Sequence, residues 1–465
     1  MPLPVPACRF SRRPSARPVR PSVARPRRLA LPLLSALALV AGAALALACA
    51  ARPVAAAAPA PSRQELQQLL DQADGILAQI GRLRGLEPPS PLKKAIRPRE
   101  AIVRRYLELL REQYPGPRLE AERKTLVKFA LIPPDFPLER FLGDMAGEQV
   151  AAYYDHLSGE IVLADWLPAA IQAPVLTHEL VHALQDRHLD LRKFLAPRPG
   201  RSDFLMARHA ILEGEATAVM ADLLLQPMGV DITRLPDLGP LAEQAAGRDS
   251  PVLSAAPKFL KAQLLFPYTA GTGFVVAFRK AHPWPAFTQV YGDPPRSTEQ
   301  ILHPEKYVGR RDDPQVVLLP DVRGVLGPGW TLSLEDDAGE FAVRGVLERF
   351  LPEEEAQAAA EGWGGDQYHL YERPEDGGLA LVFLTAWDTE AAARKFADAY
   401  ARLIPRKYVA AREGLAGQGM RRWTAKGDAL LVERRGGDVL IVEGVPAGKA
   451  DHVRQWVWRL RAAQH

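Results

Sequence analysis

Residues 175–188 read Val175-Leu176-Thr177-His178-Glu179-Leu180-Val181-His182-Ala183-Leu184-Gln185-Asp186-Arg187-His188. Two of the histidines stand four apart, and in a helix residues i and i+4 share a face. His178 and His182 can therefore point two imidazoles at one metal ion. Glu179, beside the first of them, reaches that ion's water and not the ion. The flanks suit a buried helix: Val175, Leu176, Leu180, Val181, Ala183 and Leu184 are uncharged, and neither proline nor glycine interrupts 175–184. The pattern predicts a helix over 168–187, with Pro174 near its start, where proline is tolerated.

A catalytic zinc needs three protein ligands and an open position. One candidate for the third is His188, six residues after His182. That is the metzincin spacing, but metzincins have a chain-turning glycine where this sequence has Gln185. If the helix continues, His188 swings roughly 240° away from His182, at about 100° per residue. The other candidates lie on the next helix, predicted over 203–226, which carries Leu212-Glu213-Gly214-Glu215-Ala216. Here the chain resembles the gluzincins, the thermolysin-like and aminopeptidase-like zinc metallopeptidases. Their third ligand is a glutamate on a following helix, often within Asn-Glu-Gly-x-Ala. The resemblance implies Zn2+ held by His178, His182 and Glu213, with Glu179 as general base. Glu215 is the runner-up to Glu213. Gluzincins often place an aspartate four residues after the ligand to orient a zinc histidine; Thr217 stands there after Glu213, and Val219 after Glu215.

Two further elements extend the resemblance. Phe266-Pro267-Tyr268-Thr269-Ala270-Gly271 is similar to the Tyr-x-x-Gly element of aminopeptidase-type gluzincins, which makes Tyr268 a candidate oxyanion donor. The polar, proline-rich segment 294–307 offers His303 as a second oxyanion or substrate contact. The strand Ala151-Ala152-Tyr153-Tyr154-Asp155, in a hairpin expected over 150–163, stands where gluzincins bind peptide by strand addition.

The charge balance separates a leader from the working protein. The net charge is +4, yet residues 1–28 hold eight arginines and no acid, so the remainder has 51 basic against 55 acidic residues. An Arg-rich start followed by the apolar run Leu29–Ala50 is the pattern of a secretory signal, and the run is also long enough for an N-terminal membrane anchor. Both cysteines, Cys8 and Cys49, fall in this region. Leu47-Ala48-Cys49 is compatible with lipidation of Cys49 or with ordinary cleavage nearby. An exported protein of the cell envelope or extracellular space is expected. No basic stripe with interleaved aromatics is present, which argues against nucleic acid as a partner and leaves a peptide or protein substrate.

The expected fold class is α+β. Residues 1–50 read as signal or anchor and 51–61 as a low-complexity linker. Residues 62–335 read as a mainly helical, zincin-like metallopeptidase domain with a small β-hairpin or sheet. Within it, 62–142 is a helical N-terminal part and 143–310 the catalytic core. Residues 336–465 read as a C-terminal ββαββα accessory domain, its two halves weakly alike. The rival expectation is an envelope-anchored binding or assembly protein whose zinc site is structural or vestigial.

Overall fold

The computed structural model describes residues 61–113, 116–167, 169–235, 250–414, 417 and 419–463. The Arg-rich start, the apolar run with Cys49, and the Ala/Pro stretch to residue 60 lie outside them. The protein is α+β. Among the described residues no helix is long and apolar enough to cross a membrane.

Helix α1 (Arg63–Arg84) starts on a capping box: the Ser62 hydroxyl accepts from the Glu65 N–H, and the Glu65 carboxylate accepts from the Ser62 N–H at 2.7 Å. Its apolar stripe, Leu66, Leu69, Leu70, Ala73, Leu77 and Ile80, is buried. Strand β1 (Lys93–Arg97) and helices α2 (Arg99–Gln113), α3 (Gly116–Lys128) and α4 (Leu138–Gln149) follow. Strands β2 (Ala152–Asp155) and β3 (Glu160–Ala164) form the expected hairpin, and β1 joins β3 in parallel. The order β1-β3-β2 leaves β2 at the sheet edge.

Three helices make the centre: α5 (Ala169–Leu189), α6 (Ser202–Leu225) and α7 (Lys258–Arg279). From Ser202 to Ala221 nearly every residue of α6 is buried, as expected of a helix with little polar face. Pro174 is the sixth residue of α5, close to its start as expected, and the helix continues through it. Helices α6 and α7 cross at backbone contact. A Cβ on Gly214 would lie 2.2 Å from the Gly271 carbonyl carbon, and one on Gly271 would lie 2.2 Å from the Ala210 oxygen. Each helix brings a glycine to the crossing because no side chain fits there.

The C-terminal part holds seven antiparallel strands in the order β4-β5-β6-β10-β9-β8-β7. These are β4 (Thr331–Asp336), β5 (Trp363–Arg373), β6 (Gly378–Trp387), β7 (Arg412–Glu413), β8 (Met420–Ala425), β9 (Asp428–Arg435) and β10 (Asp438–Pro446). Helices α8 (Gly339–Glu348) and α9 (Glu353–Ala360) lie between β4 and β5, while α10 (Glu390–Lys407) and α11 (Ala450–Arg461) close the two halves. The expected ββα halves each gain strands, and the halves join where β6 pairs with β10. The unit also begins at Thr331, ahead of the expected residue 336. The polar, exposed alternation of β4 hides it in the sequence.

Alternating strand residues face opposite sides. Leu381, Phe383, Leu430, Val432, Val439 and Ile441 pack with Phe396 and Tyr400 of α10. Val382, Leu384, Leu431, Leu440 and Val442 pack with Val453, Val457 and Trp458 of α11 on the other face. The α10 side shares one apolar core with Ile102, Leu110, Phe129, Leu142 and Met145. The sheet unit is therefore fused to the helical part through that core.

Candidate metal centre

His178 and His182 project from the same face of α5, and Glu213 meets them from α6. His178 Nε2 lies 3.0 Å from Glu213 Oε2, His182 Nε2 lies 3.3 Å from the same oxygen, and the two Nε2 atoms are 3.2 Å apart. Ligand bonds of about 2.0–2.1 Å in a tetrahedral zinc site set its donors roughly 3.3–3.4 Å apart, and the point equidistant from the three atoms here is about 1.8 Å from each. The donor set of two imidazoles and one carboxylate fits zinc in both chemistry and spacing. Glu179 has an oxygen within 4.8 Å of both histidine donors and accepts the Tyr154 backbone N–H of edge strand β2 at 2.9 Å.

The three donors perturb one another. Burial would push Glu213 up, but His182 and His178 hold it far below the usual carboxylate range. Burial would likewise lower His182, but Glu213 raises it to about 9. Burial raises Glu179 against the pull of His182 and His178, the direction a carboxylate needs to take up a proton nearer neutral pH. A cation bound among these donors displaces the proton they share.

The His182 ring is held from behind. Its Nδ1 lies 2.7 Å from Gln185 Oε1, one turn further along α5. The Gln185 amide nitrogen donates to the Leu212 carbonyl at 3.0 Å and to Glu215 Oε2 at 2.9 Å. The residue that breaks the metzincin pattern is thus the partner of a candidate ligand. Thr217, which stands where gluzincins often carry an orienting aspartate, holds no histidine: its Oγ1 is buried with no hydrogen-bond partner among the described residues. Gln185 already holds the His182 ring.

The other ligand candidates are engaged elsewhere. Glu215 is buried and bonded to Arg84, Tyr291 and Gln185. Helix α5 runs on to Leu189, and His188 Nε2 meets the Glu87 carbonyl at 2.8 Å. His303 stands apart from the donor cluster, with Nε2 2.9 Å from Glu340 Oε1, because its segment packs against the C-terminal unit. Its expected role as an oxyanion or substrate contact gains no support from that bond. Lys306, from the same segment, reaches Glu299, Asp312 and Asp388 at 2.6–2.9 Å, so an ammonium occupies the second cluster of acids.

Tyr268 does reach the centre. Its ring lies 6.0 Å from the His178 ring, and its hydroxyl is hydrogen-bonded to Glu213. The Gly214–Gly271 crossing produces this meeting, since Glu213 and Tyr268 flank it on their own helices. Burial, with Glu213 and Glu179 nearby, keeps the phenol protonated well above its ordinary range.

Two further residues near the centre were not foreseen, His209 and Arg84. His209, one turn before Glu213, is buried with its Nε2 unbonded among the described residues; burial lowers it to about 4 despite the pull of Glu213. The i+4 spacing from Glu213 could have revealed it. Arg84 lies more than a hundred residues from its partners, and no sequence signal joins them.

Residues 331–454 match the model of a domain of unknown function, DUF8575. The match covers most of the C-terminal unit and none of His178, Glu179, His182, Glu213 and Tyr268. No curated protein and no solved structure matches the chain.

Proposed function

We propose that this chain is an exported zinc-dependent peptidase whose metal ligands are His178, His182 and Glu213. The observation that carries the proposal is the convergence of three donor atoms within 3.0–3.3 Å beside the buried carboxylate of Glu179. Zinc held there would supply a Lewis acid and an activated water near neutral pH.

The chain's own groups perform the remaining tasks. Glu179, raised by burial, takes the proton of the attacking water and passes it to the leaving amine. Tyr268 offers a buried, protonated hydroxyl to the developing oxyanion; a donor aimed in this way typically supplies about 3 kcal/mol. The outer edge of β2 next to α5 accepts an extended peptide by strand addition. The leader, with its apolar run and Cys49, carries the protein across the membrane or fixes it there.

The rival, a binding or assembly protein with a structural zinc, accounts less well for the centre. Structural sites close the metal with four protein ligands, whereas here three donors converge and the neighbouring carboxylate is bonded to a strand N–H. Glu179→Gln is expected to keep zinc and abolish peptide cleavage. Full activity in that variant would refute the mechanism. His182→Ala should remove zinc and activity while the chain stays folded; unfolding would favour the structural reading.

A further inference from the structure

We infer that Arg84, on α1, acts through Glu215 and Gln185 to hold His182 in the form that can bind metal, so that α1 is a permanent part of the metal centre and not a removable pro-segment. The inference rests on the zinc reading above, and it assigns Arg84, Glu215 and Gln185 as positioning residues.

The line of contacts is continuous and buried. The Arg84 side chain is fully buried; its Nε donates to Glu215 Oε1 and another guanidinium nitrogen donates to the Trp284 carbonyl. The guanidinium lies 5.4–5.8 Å from the ring centroids of Trp284, Phe287 and Tyr291. Glu215 Oε2 accepts from Tyr291 and, at 2.9 Å, from the Gln185 amide nitrogen. A carboxylate buried this deeply is costly unless its charge is matched, and Arg84 matches it.

The Gln185 amide converts this anchor into a choice of tautomer. Its nitrogen faces two acceptors, Glu215 Oε2 and the Leu212 carbonyl, so its oxygen must face His182. An amide oxygen only accepts, so His182 carries a proton on Nδ1, and Nε2 is left to present its lone pair to the metal. Turning the amide round would set its oxygen against two acceptors and drive the histidine proton onto Nε2, the donor atom. Arg84 fixes the carboxylate, the carboxylate fixes the amide, and the amide fixes the ring.

The rest of α1 is built in to match. Its buried stripe shares a core with Val175, Leu176, Leu180 and Leu184 of α5. Just beyond its end, the Glu87 carbonyl meets His188. The histidine that looks like a ligand by spacing instead fastens the exit of α1 to the ligand helix.

The test measures zinc affinity by chelator competition in the full chain and in Arg84→Met, Gln185→Met and the double variant. Supporting partners of this kind are typically worth about 10–100-fold in metal affinity. Each single variant should lose that much, and the double should lose no more than the worse single within about threefold, because both cut one line. In zinc-loaded wild type, 15N-edited NMR should show the His182 proton on Nδ1. Wild-type affinity in Arg84→Met, multiplying losses in the double, or a proton on Nε2 would overturn the inference. If Arg84→Met does not fold, Tyr291→Phe removes a milder contact to the same carboxylate, and unchanged zinc affinity there would overturn it. Failure of the wild type to bind zinc would instead overturn the peptidase reading and the inference together.

Discussion

The crossing of α6 and α7 gives a prediction whose size follows from the coordinates. A Cβ on Gly271 would sit 2.2 Å from the Ala210 oxygen, where ordinary contact begins at 3.4 Å. Gly271→Ala must therefore drive the two backbones apart by about 1.2 Å, since neither side has a flexible end to yield. Overpacking of this kind costs about 1–3 kcal/mol, which is several degrees in thermal midpoint. The separation also draws Tyr268 off Glu213, and a misplacement of about 1 Å near the chemistry can cost roughly 100-fold in rate. Gly273, two residues along the same helix, provides the control, because a Cβ there meets nothing within 4 Å. Gly273→Ala should be neutral or should stabilise the helix by up to about 1 kcal/mol. The assays are thermal unfolding and peptide cleavage on both variants. If Gly271→Ala matched Gly273→Ala in both, the contact would not position the site.

Further outcomes follow from the same geometry. His188→Ala should keep one zinc per chain and Glu213→Ala should lose it; the reverse, read by metal content, would move the third ligand to His188. Zinc binding displaces the proton that Glu213 holds on His182 up to about pH 9, so affinity should rise about tenfold per pH unit below that value and then level off. A flat profile measured by competition titration from about pH 6 to about pH 10 would contradict the shared proton. Buried carboxyls at the junction with the C-terminal unit, Asp203 and Asp366, are raised by burial, Asp366 to about 6. Their folded pKa values lie above the unfolded ones, so stability falls as pH rises from the unfolded range through the folded values. Thermal midpoints should drop from about pH 5.5 to about pH 8.5, and Asp203→Asn should flatten the trend.

The fold was legible where one helix face or one strand face reports burial. Helices α5 and α6 and the β2–β3 hairpin fall within two residues of the expected spans 168–187, 203–226 and 150–163, and the α+β class follows with them. Strands β4, β7 and β8 were harder to see, because their exposed residues blur the period of two. At the site, His178, Glu179 and His182 are local in sequence and could be read as a unit. Glu213 and Tyr268 needed a family resemblance, and their glycines acquire a physical reason only once α6 and α7 are seen to touch. Gln185 and Arg84 show the limit. Gln185 stands at the right spacing to support His182, yet it read as a missing glycine. Arg84 reaches the centre through Glu215, a pairing 131 residues apart that no local pattern encodes. His303 could not be placed from the sequence, because a histidine in an ordered polar loop looks the same whether or not it bonds a carboxylate such as Glu340.

Zinc coordination is the most direct test of the peptidase reading. Zinc K-edge absorption of the purified, zinc-loaded chain should show one tightly held zinc with two imidazole nitrogens and one carboxylate oxygen at about 2.0–2.2 Å, plus an exchangeable light atom. A chain that binds no zinc, or whose zinc keeps its coordination in Glu213→Ala, would contradict it.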